Sequence, residues 1–146
     1  MIKGAYSPYS GEMRPRARDH LPALAEHAAA IKYHLLFAKQ YLGTNIPPDA
    51  RILVFGCGVG DSVKLLLDLG YDAVGMGVRE YWGADHDIYW KTGPLHDETV
   101  LRRLSHVPLS DYKLPYPDHS IDFCFSDQVF EHVFDYITPS SELARV

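Results

Sequence analysis

Hydrophobic residues recur at steps of four and three in the first third of the chain, from Leu24 to Leu42. Apolar side chains at this spacing line one side of an α-helix, so the pattern predicts an amphipathic helix that Gly43 ends. The stripe consists of Leu24, Ala28, Ile31, Leu35, Ala38 and Leu42. The residues before it are rich in Pro, Gly, Tyr and Arg without a period, which predicts an irregular arm over 1–20.

After a proline-containing loop the pattern changes to alternating strand and helix signals. An apolar run at 52–55 predicts a strand, 61–69 predicts a helix that Gly70 ends, and 73–78 predicts a second strand. A strand, a helix and a strand within about 30 residues form a βαβ unit, whose right-handed crossover joins parallel strands. The predicted fold class is therefore α/β with a parallel sheet.

The second half of the chain gives weaker signals. Residues 79–95 carry several Tyr and Trp side chains without a clean period, which predicts a long aromatic insertion. Residues 97–104 are predicted to be helical, and prolines break the stretch after them into short extended and turn segments. Alternating apolar residues at 121–126 predict a further strand, and 127–137 are predicted to form the helix that follows it.

Composition narrows the class of protein. The chain has 146 residues, 47% of them hydrophobic and 23% charged, which fits one globular core. We expect a single α/β domain over 21–146 behind the arm. No apolar run approaches the ~20 residues that span a bilayer, and the N-terminus lacks a signal-peptide pattern. We therefore expect a cytoplasmic protein without a membrane partner, and the net charge of −5 gives no general attraction to nucleic acid.

Two cysteines and eight histidines raise the question of a disulfide or a metal site. Cys57 and Cys124 each lie beside a predicted strand and form neither a disulfide framework nor a zinc pattern. We expect both to be buried, reduced packing residues. No recognised ligand spacing joins the histidines, including those within 85–87 and 96–98, so we expect no metal site.

Three glycines at alternate positions, Gly56, Gly58 and Gly60 in "RILVFGCGVGDSV", separate the first predicted strand from its helix. Glycine is needed where backbone torsions exclude side chains or where a ligand approaches the backbone closely. A helix N-terminus also offers N–H groups to the polar end of a ligand. We expect a tight turn to need one glycine rather than three, so the stretch predicts a backbone-lined site for a small molecule.

The spacing of these glycines limits the choice of ligand. A dinucleotide fingerprint requires glycine where this chain has Asp61, which disfavours a nucleotide-dependent oxidoreductase. A phosphate-binding P-loop requires Gly-Lys-Ser or Gly-Lys-Thr, which is absent from this stretch.

Two ordered stretches resemble motifs of the class I S-adenosylmethionine-dependent methyltransferases, in particular their type 11-like group. "ILVFGCGVGDSVKLLLDLGYDAVGMGV" is similar to that family's first motif and second strand. "LPYPDHSIDFCFSDQVFEHVFDY", with "ELARV" after it, is similar to its fourth strand and following helix. The resemblance covers roughly residues 45–146 and implies a Rossmann-like sheet, S-adenosylmethionine as cofactor and methyl transfer to a small-molecule acceptor.

The resemblance also implies where the cofactor lies, across the carboxyl ends of the first, second and fourth strands. The glycine loop would lie under its methionine part, the end of the second strand would face its ribose, and 111–112 would contact its adenine. The residues placed against the cofactor are Gly56, Cys57, Gly58, Gly60, Asp61, Gly77, Val78, Glu80, Asp111, Tyr112, Ser126, Asp127 and Gln128.

Catalysis of methyl transfer depends mainly on positioning, so a general base is optional. The candidates are Asp127, Glu131 and His132, because the helix after the fourth strand would open beside the methyl group. Asp127 and Glu131 would share one face of that helix, and His132 would point about 100° away from Glu131.

The chain departs from the family pattern in three places. Val54 and Gly77 stand where the family usually has carboxylates that organise the cofactor's amino end and ribose. The sequence also stops where the family usually continues into a Lys-Pro-Gly-Gly turn and three more strands, so we expect a fold truncated after the fourth strand and its helix. The missing carboxylates leave an alternative open, a non-catalytic Rossmann-like module that has lost cofactor binding.

Overall fold

The computed structural model describes residues 20–58, 60–78, 97–133 and 135–146. The predictions for the arm before His20, for Glu80 and for the aromatic stretch at 79–95 lie outside these residues. Within the described ranges no helix has the length and apolar character needed to cross a membrane.

A parallel four-stranded sheet forms the centre of the described fold. Its strands are β1 (Arg51–Phe55), β2 (Asp72–Val78), β3 (Leu104–Val107) and β4 (Phe123–Ser126). Their order across the sheet is β3-β2-β1-β4, and every pairing is parallel. The α/β class and the parallel pairing of the first, second and fourth strands are confirmed.

Helices cover both faces of this sheet. They are α1 (His20–Leu42), α2 (Asp61–Asp68), α3 (Glu98–Leu101) and α4 (Ile137–Arg145), with 3-10 helices at Leu109–Asp111 and Phe130–His132. Alternate residues of β1 separate the core into two layers. Ile52 and Val54 pack on the layer that contains α1 and α2, whereas Leu53 and Phe55 pack on the layer that contains α4.

The apolar stripe of α1 is confirmed only in its middle. Ile31 is buried, and Leu35 and Ala38 are half-buried against the same layer as α2. Leu42 is 53% exposed and Ala28 is also exposed, so their predicted places in the buried stripe are wrong, and the side chain of Leu24 lies outside the described part of the chain. The helix runs past the layer that it packs on before Gly43 ends it at φ 70°.

One predicted helix is too long and another is wrong. The helix predicted for 97–104 stops at Leu101, and the chain continues as β3 because pairing with β2 outweighs a weak local helical pattern. The helix predicted for 127–137 is absent, since Gln128 has φ 55° and only the short 3-10 turn follows. The α-helix starts at Ile137, whose N–H donates to the Asp135 carboxylate at 2.9 Å.

Candidate functional site

The candidate site lies at the carboxyl edge of the sheet, where parallel strands end together. Phe55, the last residue of β1, pairs with Ser126 at the end of β4 and with Met76 in β2. The glycine loop and 126–128 are therefore neighbours, as predicted. In open α/β sheets this edge is where ligands bind.

The glycine loop adopts a left-handed backbone at each glycine, with φ 78° at Gly56, 53° at Gly58 and 94° at Gly60. Residues with a side chain rarely adopt this left-handed conformation. All three positions have it, so the expectation that the turn needs one glycine rather than three is wrong. The N–H groups of Gly56 and Cys57 both donate to the Met76 carbonyl, at 2.8 and 2.9 Å, and Gly60 N–H donates to the Cys57 carbonyl. Three loop amides are thus used by the fold itself.

Two of these glycines also allow close packing. A Cβ on Gly56 would lie 2.1 Å from Val129 Cγ2, and one on Gly60 would lie 2.8 Å from Leu104 Cδ1. Both distances are shorter than any real Cβ contact. Bare backbone at Gly56 therefore lets the turn after β4 rest directly on the loop after β1.

Cys57 contributes its backbone to the loop and its side chain to the core. The residue is 6% exposed, and burial raises the pKa of its thiol to about 12. The thiol is neutral at physiological pH and is not a nucleophile. Both described cysteines are free, as expected, but Cys124 is exposed because β4 is an edge strand of the described sheet, so its predicted burial is wrong.

The end of β2 is shaped by His106, which the sequence analysis did not identify. Gly77 pairs with His106, and a Cβ on Gly77 would lie 3.3 Å from both Cδ2 and Nε2 of the imidazole. The ring occupies the space that a side chain at 77 would need. No sequence signal marked His106, which lies in a stretch predicted to form short extended and turn segments. Val78 ends β2 beside it, paired with Val107.

Asp61 is 3% exposed at the first position of α2. Its Oδ2 lies 3.8 Å from Nε2 of His27 in α1, and the other ring nitrogen of His27 lies 3.4 Å from Ser62 Oγ. A carboxylate at a helix N-terminus is favoured by the helix dipole. Asp61 therefore ties α1 to the first turn of α2, in addition to its predicted place after the glycine loop.

Asp111 and Tyr112 follow β3 at the same edge of the sheet. Asp111 is exposed in the 3-10 helix Leu109–Asp111, and Tyr112 packs against the core layer that contains α4. The structure thus leaves the Asp111 carboxylate available to a ligand and uses the Tyr112 ring for packing.

The turn after β4 carries the remaining predicted residues. The Ser126 hydroxyl oxygen is buried and has no hydrogen-bond partner within the described chain, whereas Asp127 and Gln128 are exposed. Glu131 and His132 are exposed in the 3-10 turn, with Oε1 and Nε2 4.0 Å apart. The prediction that Asp127 and Glu131 share a helix face is wrong, because no α-helix forms here.

Comparisons with known proteins indicate the family of this chain. A family model described as "Methyltransferase domain" matches residues 53–146. Sterol 24-C-methyltransferase ERG6B of Gibberella zeae is 29% identical over 111 residues, which are 74% of this chain and 28% of that protein.

Solved structures show the same fold. A structure from Methanococcus maripaludis, provisionally assigned as an S-adenosyl-L-methionine-dependent methyltransferase, aligns with a TM-score of 0.58 at 16% identity, over 99% of this chain and 60% of that one. YjhP of E. coli aligns with a TM-score of 0.50 at 14% identity, over 97% of this chain and 50% of that one. The chain spans less than two thirds of each of these relatives. Since the family model covers most of its sequence, the chain belongs to the methyltransferase domain family.

Proposed function

We propose that this chain binds S-adenosylmethionine at the carboxyl edge of β1, β2 and β4 and is the cofactor-binding part of a methyltransferase for a small-molecule acceptor. The observation that carries the proposal is the Ser126 hydroxyl. It is buried without a partner in the described structure, beside a loop of three left-handed glycines. A buried hydroxyl without a hydrogen bond costs about 1–3 kcal/mol, and a polar ligand group at this edge would remove that cost.

The groups present at this edge fit the polar parts of the cofactor. Gly58 leaves the loop backbone open to close approach, and the Ser126 hydroxyl can donate to or accept from a polar group. The Gln128 side chain is exposed beside Ser126, and the exposed Asp111 carboxylate can accept hydrogen bonds from an amino group or hydroxyls.

The chemistry follows from this placement. When bound, S-adenosylmethionine would supply a methyl group on a positively charged sulfur. The acceptor's nucleophile would bond to the methyl carbon in line as the carbon–sulfur bond breaks and the neutral thioether leaves. The turn after β4 presents exposed Asp127, Glu131 and His132 near the end of that strand. Each of these three side chains could take a proton from an acceptor, and those of Glu131 and His132 lie 4.0 Å apart. The relative from Gibberella zeae is named for a sterol acceptor, which supports a small-molecule substrate.

A non-catalytic module is the second candidate function, and one observation favours it. The His106 ring lies 3.3 Å from where a Cβ on Gly77 would be, at the strand end where the resemblance places the cofactor's ribose. The described end of β2, at Gly77 and Val78, also offers no carboxylate to the ribose, and Glu80 lies outside the described residues.

Calorimetric titration with S-adenosylhomocysteine, the demethylated product, separates these candidates. We expect binding by the parent chain and at least a tenfold loss of affinity (~1.4 kcal/mol) in Gly58→Asn. Asparagine tolerates a left-handed backbone, so this variant adds a side chain at the site with little strain, whereas valine would strain the turn.

Gly43→Asn is the matched control. Gly43 has φ 70° with no atom within 4 Å of an added Cβ, so its substitution should leave binding unchanged. Absence of heat from a folded parent chain would favour the non-catalytic module. Binding of NAD⁺ in place of S-adenosylhomocysteine would contradict both candidates and favour an oxidoreductase.

A further inference from the structure

Two residues of α4 hold both backbone groups of Leu114, a residue that is 1% exposed. Glu142 Oε2 accepts a hydrogen bond from Leu114 N–H at 2.7 Å, and Arg145 Nη2 donates to the Leu114 carbonyl at 3.0 Å. The two side chains also pair with each other, through Nε–Oε1 at 2.9 Å and Nη2–Oε2 at 2.7 Å. We name this arrangement of Glu142, Arg145 and the Leu114 backbone the α4 clamp.

The clamp is ionic at neutral pH. Hydrogen bonding from Arg145 lowers the pKa of Glu142 to about 2, so the carboxylate remains charged well into acid. A planar guanidinium that meets a carboxylate at two points is more rigid than a single contact. Arg145 also donates through Nη1 to the Tyr116 carbonyl at 2.9 Å, which extends the clamp along the segment.

The other side of this segment is fastened to the sheet. Tyr116 Oη donates to the Gly75 carbonyl of β2 at 3.2 Å in a buried position. Val107, at the end of β3, is 4% exposed. Only the six residues 108–113 lie between Val107 and Leu114, and they include Asp111 and Tyr112. Since both ends of this short loop are fixed, its conformation depends on where the clamp places Leu114.

We infer that Glu142 and Arg145 are positioning residues for the adenosine end of the cofactor site, acting through the loop 108–113. The inference rests on the proposed function. Neither residue need touch the cofactor, because each bonds to the backbone of Leu114. Leu114 follows the last residue of the loop, whereas β3 precedes its first residue. The helix α4 would then affect cofactor affinity through contacts at the ends of β2 and β3. It would not act through the end of β4, although it follows β4 in sequence.

Glu142→Ala tests this inference in the 146-residue chain. The substitution removes the acceptor of a buried N–H and one partner of Arg145, so the loop loses its fixed end. We expect the dissociation constants of S-adenosylhomocysteine and of 5′-methylthioadenosine to rise by the same factor, about tenfold, because both ligands carry the adenosine group. Amide exchange of Leu114 should accelerate in the same variant.

Two controls and a milder variant separate positioning from general stability. Asp118→Asn removes the exposed partner of Arg145 and leaves Leu114 bound, so affinity should stay within about twofold. Ile31→Val weakens the core layer that contains α1 and should also leave affinity unchanged. Glu142→Gln keeps an acceptor for Leu114 N–H and is the milder variant if Glu142→Ala does not fold; we expect about a threefold loss.

The outcomes are distinct. Equal affinity of Glu142→Ala and the parent chain, with faster exchange at Leu114, overturns the inference and leaves the proposed function intact. An equal loss of affinity in Ile31→Val also overturns it, since the effect would then follow stability. Absence of binding by the parent chain overturns the proposed function and this inference with it.

Discussion

The turns after β1 and after β4 lie side by side at one edge of the sheet, yet different interactions hold them. The turn after β1 is fixed by backbone hydrogen bonds to the Met76 carbonyl and by three left-handed glycines. The turn after β4 is fixed by side chains, with Val129 against Gly56 and the Phe130 ring stacked on Phe55 at 5.4 Å. The first turn depends on glycines in its own sequence and on hydrogen bonds to β2, and the second turn packs its side chains onto the first.

The backbone at Gln128 shows the same dependence. Its φ of 55° is unfavourable for a residue with a side chain, and the surrounding contacts must supply the energy that keeps it there. Packing of Val129 and Phe130 onto β1 and its loop provides that energy.

The largest expected effect is that of Gly56→Ala, which strains both turns at once. A left-handed alanine costs about 1–2 kcal/mol and overpacking against Val129 adds a further ~1–3 kcal/mol, so unfolding free energy should fall by about 3 kcal/mol. Urea denaturation measures the loss.

Gly43→Ala is the control for Gly56→Ala, since Gly43 is left-handed but has open space around it. It should cost about 1 kcal/mol from strain alone. Val129→Ala should recover part of the Gly56→Ala loss in the double variant. An equal loss of unfolding free energy in Gly43→Ala and Gly56→Ala would show that the close contact between Gly56 and Val129 does not limit the side chain at 56.

Phe130→Ala should have the next largest effect. Removing a half-buried ring that stacks on Phe55 should lower the unfolding free energy by about 2 kcal/mol and loosen the turn after β4. Phe37→Ala removes a ring that stacks on Tyr33 and lies tilted against Tyr41, but the ring is 44% exposed, so the change should cost less than about 1 kcal/mol. A larger loss at Phe37 would mean that the aromatic row on α1 is buried in solution.

Acid should lower the stability of the fold by protonating Glu142, which lies after β4. Its pKa is lowered to about 2 in the folded chain, so its stabilising contribution is complete above its ordinary value of 4.5 and is lost as the pH falls toward 2. Glu142→Gln lacks this titration. Its unfolding free energy should therefore fall less between pH 6 and pH 2.5, and the difference should correspond to the uptake of about one proton. Urea denaturation at each pH measures the unfolding free energy of both proteins. An equal fall in the two proteins would show that Glu142 does not contribute to the acid sensitivity.

The sequence predicted the parts of the molecule whose conformation is local. The spacing of Gly56, Gly58 and Gly60 between an apolar run and an amphipathic segment identified the first turn, and β1, α2 and β2 were predicted close to their observed bounds. These elements combine a clear hydrophobic period with glycines at their ends. The resemblance then predicted that Ser126 would lie at the same edge, and the register confirms it.

The parts that could not be predicted depend on partners distant in sequence. β3 forms because it pairs with β2, and His106 lies beside Gly77 only through that pairing. Residues 127–137 have a helix-like pattern, but contacts with β1 divide them into a short turn and the start of α4. The clamp on Leu114 joins residues 28 positions apart, and no spacing in the sequence points to it.

The smallest expected effect, from Gln128→Gly, has the opposite sign to the others and tests the comparison most directly. Glycine removes the left-handed strain of about 1–2 kcal/mol at this position and adds about 0.5–1 kcal/mol of unfolded-state entropy, so the net change should be a stabilisation of about 0.5 kcal/mol. Asp127→Gly is the matched control, because Asp127 is exposed beside it without a positive φ and should lose about 0.5–1 kcal/mol instead. Urea denaturation of both variants gives the two signs. If both lose stability, Gln128 carries no strain, and the turn after β4 has its own local preference rather than one imposed by β1. If Gln128→Gly gains stability and loses affinity for S-adenosylhomocysteine, position 128 serves the cofactor site at the cost of the fold.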